Sequence, residues 1–451
     1  MAGVLAGVRI LDLTRAYAGP IGTRMLADMG AEVIKVEAVQ MIDMPSRRLA
    51  YAENALDDEP WNRSGVFHWL NNNKRGITLN LSDAKGIELV RELVKISDVV
   101  AENHSPRVMK NLDLDYDSLR QLNPSVILVS MSGFGQTGPH RDFVAYASVM
   151  EAAGGLTAMN GYTGDTPRNS GTAYGDWVLG AHGAASVVLA LFRRQRTGQG
   201  AYIDVAGREA VTSHIGEAVL DFSMNRRVAK PAGNSDGTTT PHDCFRCKDG
   251  WIAIAVTNDC DWQRLCDTIS QPANPRFATE TGRWQHRDEV RRLVETWTFQ
   301  RTAHDAFGVL QRAGIPAGPV LDARDVMLDP HMTERRFFEP INHPAVGRRL
   351  HNRHMPARFS GQATEPMRPA PRVGEHNADI LHFLLGLDAR GFARLEKERI
   401  IGNAPDKLPR SATELPLNQP LWEREGLIRL DHDYNERLSK AYGERLGAMS
   451  K

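Results

Sequence analysis

The sequence predicts an α/β protein: a large domain on a doubly wound, mostly parallel, Rossmann-like sheet, with a smaller α+β domain inserted into it. Three observations carry this. Short apolar runs alternate with helical patterns through the first half, the texture changes between about Asn225 and Pro330, and a helical pattern returns near Ala378 to Leu387. Alternating strands and helices bury their apolar faces as a parallel sheet covered on both sides, with ligands at the carboxyl ends of the strands. The 451 residues exceed what one core usually serves. The expected division is 1–225 for the first part of the large domain, 226–330 for the small domain, 331–390 for the return, and 391–451 for a C-terminal extension.

Taken in order, Val8 to Leu13 reads as a strand, Pro20 to Met29 as a helix, and Glu32 to Glu37 as a second strand. Asp83 to Ile96 is helical, Asp98 to Glu102 a strand, and a helix closing at Leu119 precedes the strand Val126 to Met131. Trp177 to Phe192 carries Ala, Val and Leu at helical spacing, and Gly200 is a turn feeding the strand Ala201 to Val205. The inserted region opens with a loop rich in glycine, threonine and proline, followed by a hairpin and charged helices. Asn403 to Pro420 holds four prolines and reads as a linker between two amphipathic stretches, Ala389 to Ile401 and Leu421 to Leu446.

Charge excludes some partners. Lys+Arg and Asp+Glu both total 55, so nothing in the balance favours nucleic acid or an anionic membrane. The opening Val8-Arg9-Ile10-Leu11 is too short and interrupted for a signal-peptide core. Mean hydropathy is −0.39, and no long uncharged apolar run suggests a spanning helix. The expected compartment is the cytoplasm.

Two motifs invite other chemistry. Cys244-x-x-Cys247, with Cys260 and Cys266 downstream and His242 nearby, has zinc-like spacing. The Lys248-Asp249-Gly250 turn makes this a hairpin whose alternation sends Cys244 and Cys247 to opposite faces, so no metal is expected. Gly133-Phe134-Gly135-Gln136-Thr137-Gly138 follows a strand and fits a dinucleotide fingerprint, but the polar Pro139-His140-Arg141-Asp142 stands where a helix must open. Ser132 lacks the leading glycine of a nucleophile elbow.

Asp176 is the candidate for chemistry. It ends the polar loop Ser170-Gly171-Thr172-Ala173-Tyr174-Gly175 and enters the apolar helix. A carboxylate there is either a helix cap or a group held ionised by free N–H donors and the helix dipole. The surrounding motifs decide between them. Leu11-Asp12-Leu13 with Ala18-Gly19-Pro20, Ala31 to Glu37, Asn73-Lys74-Arg75, Glu102-Asn103, Gly133 to Pro139, Gly175-Asp176, Gly314-Ile315-Pro316-Ala317-Gly318-Pro319 and Pro371-Arg372-Val373-Gly374-Glu375-His376 occur in sequence. Together they resemble the family III CoA-transferases, the formyl-CoA and carnitine CoA-transferase group, over roughly residues 5 to 390.

The resemblance implies an acyl-CoA:carboxylate CoA-transferase in which Asp176 is the nucleophile and coenzyme A is a substrate, with no resident cofactor. It implies CoA contacts along Tyr17, Ala18, Leu79, Asn80, Asn103, His104, Ser105 and Tyr146, and an active-site loop with Gly233 and Gly237. The sequence departs from the family at several of these places: Tyr17 replaces a glutamine, Ala38 an arginine, and Asp236-Gly237-Thr238-Thr239-Thr240 a glycine run, which disfavours a formyl substrate. Arg107 and Lys110 are candidates for the missing phosphate-binding charge. The alternative on this fold is an α-methylacyl-CoA racemase. Racemases carry a histidine base where Tyr146 stands, and a phenol titrating near pH 10 is a poor base at neutrality. The family also implies an interlocked homodimer, or a heteromer with a related subunit as in benzylsuccinate- and malate-type enzymes.

Overall fold

The computed structural model describes residues 3–56, 58–235, 237–360, 366–406 and 419–443. They form two compact units, one of Met1–Leu156, Asn169–Glu217 and Pro330–Lys451, the other of Thr157–Arg168 and Ala218–Asp329. The short excursion 157–168 belongs with the second unit because Gly233 N–H donates to the Gly161 carbonyl at 2.9 Å. Sequence periodicity alone places it in the large domain.

The first unit opens with β1 (Arg9–Asp12), α1 (Ala18–Asp28), β2 (Glu32–Glu37), α2 (Gly65–Asn71) and β3 (Arg75–Thr78). Then come α3 (Ala84–Lys95), β4 (Val99–Glu102), α4 (Arg107–Asn111), α5 (Tyr116–Leu122), β5 (Ile127–Ser132), α6 (Ala147–Ala153), α7 (Tyr174–Thr197), β6 (Ala201–Ala206) and α8 (Gly207–Ser213). The sheet order is β3-β2-β1-β4-β5-β6, with every pairing parallel. The winding reverses between β1 and β4, and crevices for ligands open at such a switch point.

Strand residues alternate between two cores, as the pleat requires. Leu11, Ile34, Val100 and Leu128 face one side with Leu93, Leu119 and Ile380. Ile10, Val33, Val99, Ile127 and Val129 face the other, against Leu26, Leu179 and Val187. Both faces are apolar because helices cover both. Leu395, Ile400 and Ile401 complete the first core, so the stretch just past residue 390 is part of the sheet domain rather than an appendage. The following linker lies mostly outside the described residues, which resume with helices Gln419–Arg424 and Tyr434–Tyr442.

A buried ion pair fixes the end of β1. Lys74 Nζ donates to Asp12 Oδ2 at 3.0 Å, Thr23 Oγ1 at 2.8 Å, the Pro20 carbonyl at 3.1 Å and Asn71 Oδ1 at 3.0 Å. Burial alone would raise the Asp12 pKa, but Lys74, Lys35 and two hydroxyl donors hold it down at about 2. Such a pair survives desolvation because every lone pair and proton is matched.

By length and composition alone, α7 is apolar enough to cross a membrane. Its Gly180, Gly183, Ala184, Val187 and Ala190 are buried with the second core cluster, as befits the core helix of a layered domain. Glycines permit the contact: a Cβ on Gly22 would lie 2.7 Å from the Gly180 carbonyl oxygen.

The second unit is an antiparallel sheet of β7 (His242–Arg246), β8 (Trp251–Ala255) and β9 (Ala317–Pro319) in that order. Phe245, Ile252, Ile254, Trp262, Leu265, Val290, Val294 and Leu310 form its core with the helices Asp259–Thr268, Arg287–Thr298 and Ala303–Arg312. The expected hairpin is present, closed by Cys247 N–H to the Gly250 carbonyl at 2.9 Å. All four cysteines are free thiols, Cys247 and Cys266 buried and Cys260 exposed.

Candidate active site

A cavity of about 590 Å3 opens at the carboxyl end of the parallel sheet, around its switch point. Its wall is built from the loops that leave the central strands. Arg15 to Ala18 follow β1, Asn103 to Pro106 follow β4, and Met131 to Gly133 end β5. Val144 to Tyr146 and Met150 come from the entry and body of α6, Arg48 and Leu49 from the loop after β2, and Asp176 and Leu179 from α7.

The helix bearing Asp176 begins earlier than its sequence suggests. α7 starts at Tyr174, capped by no side chain, so Asp176 is its third residue and not its cap. Gly175 is drawn into the helix by packing: a Cβ there would lie 2.7 Å from the Ala147 carbonyl oxygen of α6. The Asp176 carboxylate is half-buried and makes no hydrogen bond or ion pair among the described residues. Burial, and second the charge of Glu151, push its pKa up to about 7. Of the two sequence readings the cap is excluded, and desolvation and a like charge oppose the ionisation that the helix terminus favours.

Seven of the eleven residues singled out in the sequence line this cavity: Tyr17, Ala18, Asn103, His104, Ser105, Tyr146 and Asp176. Asn103 clamps the first loop, accepting from Arg15 N–H at 2.8 Å and donating to the Arg15 carbonyl at 2.8 Å. His104 is held neutral, its pKa pushed down to about 4 chiefly by burial, and its backbone N–H donates to Glu102 Oε2 at 2.7 Å. Burial in turn raises Glu102 to about 7. Tyr17, whose pKa is raised by burial and by the Asp176 charge, keeps its phenolic proton at neutral pH. Tyr146 precedes α6 and is exposed.

The other four lie elsewhere. Leu79 is fully buried in the first core, and Asn80 bonds its own turn, accepting from Ser82 N–H at 3.0 Å. Neither lines the cavity, because the chain after β3 turns back to meet residues 400–402. Gly233 and Gly237 belong to the second unit, with φ of 67° and 78°, the left-handed region that glycine adopts without strain. Arg107 is tied to Asp142 at the surface, and Lys110 is exposed.

Sequence reasoning passed over Glu151 and Arg48. Glu151 is wholly buried in α6, where its only sequence signal is a lone acid in the apolar stretch Ala147–Ala153. Arg48 is an exposed cation on the cavity wall with no ion pair among the described residues. No cluster of three metal-binding side chains occurs among the described residues.

Fold and site define a doubly wound α/β protein whose switch-point cavity presents one unpaired carboxylate on a helix start. Comparison with known proteins narrows this class. Residues 5–377 match the model of CoA-transferase family III. The chain is 32% identical over 407 residues to the succinyl-CoA–D-citramalate CoA-transferase of Chloroflexus aurantiacus, covering 88% of this chain and 98% of that one. It is 32% identical over 380 residues to the succinate–glutarate CoA-transferase of Agrobacterium fabrum, covering 84% and 94%. Among solved structures, a CAIB/BAIF family protein from Brucella suis superposes with a TM-score of 0.77 at 30% identity, over 85% of this chain and all of that one. The chain belongs to CoA-transferase family III, and it is a CoA-transferase.

Proposed function

We propose that this enzyme moves CoA between dicarboxylic acids, with Asp176 as the covalent carrier. The observation that carries the reading is the unpaired Asp176 carboxylate facing a cavity whose wall also bears Arg15, Arg48 and Arg141. A carboxylate is a weak nucleophile in water and a better one when desolvated at higher pKa. Asp176 attacks the thioester carbonyl of the donor, the C–S bond breaks, and CoA leaves as the thiolate. The thiolate returns to the Asp176 side of the anhydride, releasing the donor acid and leaving an aspartyl-CoA thioester. The acceptor carboxylate then displaces CoA through a second anhydride, and the thiolate attacks the acceptor acyl carbon, restoring Asp176. Electrons and charge balance at each step, so the sequence of steps needs no resident cofactor.

Each tetrahedral intermediate needs a donor for its oxyanion. The protonated Tyr17 phenol, beside Asp176, supplies one. Arg48 offers a distal acid carboxylate a charge-assisted partner, which fits the dicarboxylates named for the two relatives. The working unit in this reading is a dimer. Exposed apolar side chains support it: Val188, Leu189 and Phe192 on α7, then Val219, Leu220, Phe222 and Met224 in the helix Gly216–Asn225. The direct test is a panel of acyl-CoA donors crossed with mono- and dicarboxylic acids, read by mass spectrometry. Transfer only between monocarboxylates would overturn the substrate class, and a folded, active monomer in sedimentation would overturn the dimer.

A further inference from the structure

The second carboxylate beside the nucleophile has no role in the steps above. Glu151 is 0% exposed. Its Oε2 accepts from Ser170 N–H at 2.9 Å, at the start of the loop that delivers Asp176. Its Oε1 has no hydrogen-bond partner, and no cation pairs with it among the described residues. Helix α6, which carries it, touches the first turn of α7, since a Cβ on Gly175 would meet the Ala147 carbonyl at 2.7 Å and Met150 Cβ at 3.2 Å. A buried acid with one oxygen left unmatched is costly, so its retention asks for a compensating use.

We infer that Glu151 is a positioning residue for Asp176: it pins the loop entering α7 and sets a second, unbalanced charge beside the nucleophile, favouring the states in which Asp176 is neutral. The inference rests on the covalent reading of Asp176. Acylation turns a carboxylate into an uncharged anhydride or thioester, and the departing thiolate carries the negative charge to CoA. Repulsion from Glu151 is present before attack and relieved after it, so it shifts the equilibrium toward the adduct. It also makes Asp176 more basic and thus a stronger nucleophile once ionised. The other titratable groups around Asp176 do not supply this. Tyr17 and Tyr146 are phenols, His104 is neutral, and Arg15, Arg48 and Arg141 on the wall are cations that act in the opposite direction.

Glu151→Gln separates charge from shape, because an amide oxygen can still accept the Ser170 N–H. The readout is release of the donor acid in a single turnover without acceptor, followed from pH 5 to 9, with the fraction of protein carried as adduct. The wild-type rate is expected to rise with pH through about 7. In Glu151→Gln the midpoint is expected to fall by about one unit, with several-fold less adduct at equilibrium. Glu151→Ala removes the charge too and serves if the glutamine variant does not fold; its midpoint is expected to fall likewise. A wild-type midpoint and adduct fraction in either folded variant overturns the inference and leaves Glu151 a structural anchor. Absence of both donor-acid release and adduct in the wild type with every donor is a different failure, and it falls on the covalent reading.

Discussion

Replacing Gly180 by alanine tests how tightly the site depends on the contact between α1 and α7. Gly180 lies one helical turn beyond Asp176, on the face that meets α1. A Cβ there would stand 2.6 Å from the Ala18 carbonyl oxygen, 3.0 Å from Gly22 N and 3.0 Å from Ile21 Cγ2. Two of these are backbone atoms of α1, which no rotamer change can move aside. Overpacking of this kind costs about 1–3 kcal/mol. Alanine regains about 1 kcal/mol of helix propensity over glycine, so the net destabilisation is up to about 2 kcal/mol. In a domain this large that lowers the thermal midpoint by about 2–4 °C for each kcal/mol. The same separation moves Ala18 and Tyr17 from Asp176, and transfer is expected to fall roughly tenfold or more. Gly216→Ala is the control: it opens a helix, and its Cβ would meet nothing within 4 Å. Thermal melts and initial transfer rates read both variants. A Gly180→Ala protein as stable and active as the wild type would refute the packing argument.

Asp176→Ala is expected to reduce transfer to background while raising the thermal midpoint above pH 7, where the native carboxylate is ionised against burial and Glu151; a midpoint lowered there would contradict this origin of its raised pKa. Acid is expected to destabilise the fold between pH 6.5 and about 4. His343 and His351 are held neutral down to about 4 mainly by burial, and His68, His104, His354 and His376 are shifted the same way. The unfolded chain binds the protons these rings refuse, so stability is full above 6.5 and declines as pH drops toward their folded values. Glu102 and Asp176, both raised to about 7, act oppositely, but two carboxyls do not offset six rings. Denaturant midpoints at pH 8, 6 and 5 check this, and a flat series would contradict it.

The parallel sheet was legible because its strands are apolar on both faces and bounded by turn residues. Glu32–Glu37 coincides with its reading, and Asp83 caps α3 through Lys85 N–H, as a favoured capping residue does. Starts set by tertiary contact were not. Proline at position 20 suggested where α1 begins, yet the helix opens at Ala18, since a first-turn proline sacrifices no helical hydrogen bond. Ser170 to Asp176 reads as loop because glycine opposes helix, and only α6 pressed against Gly175 reverses that preference. Asp176 was legible through its motif, while its raised pKa was not, because Glu151 lies 25 positions earlier and meets it only in the fold. Leu79 and Asn80 sit where a family motif suggested ligand contact, but burial of the strand end and the return of residues 400–402 give them other partners.

The central claim is that acyl groups and CoA pass through Asp176 itself. Incubating the wild-type enzyme with an acyl-CoA donor and hydroxylamine, then mapping peptides by mass spectrometry, tests it most directly. The account predicts inactivation that requires the donor, with a hydroxamate on Asp176 and on no other carboxyl. Catalytically active protein that stays unmodified at Asp176, or that carries the mark at Glu151 or another acid, would contradict it.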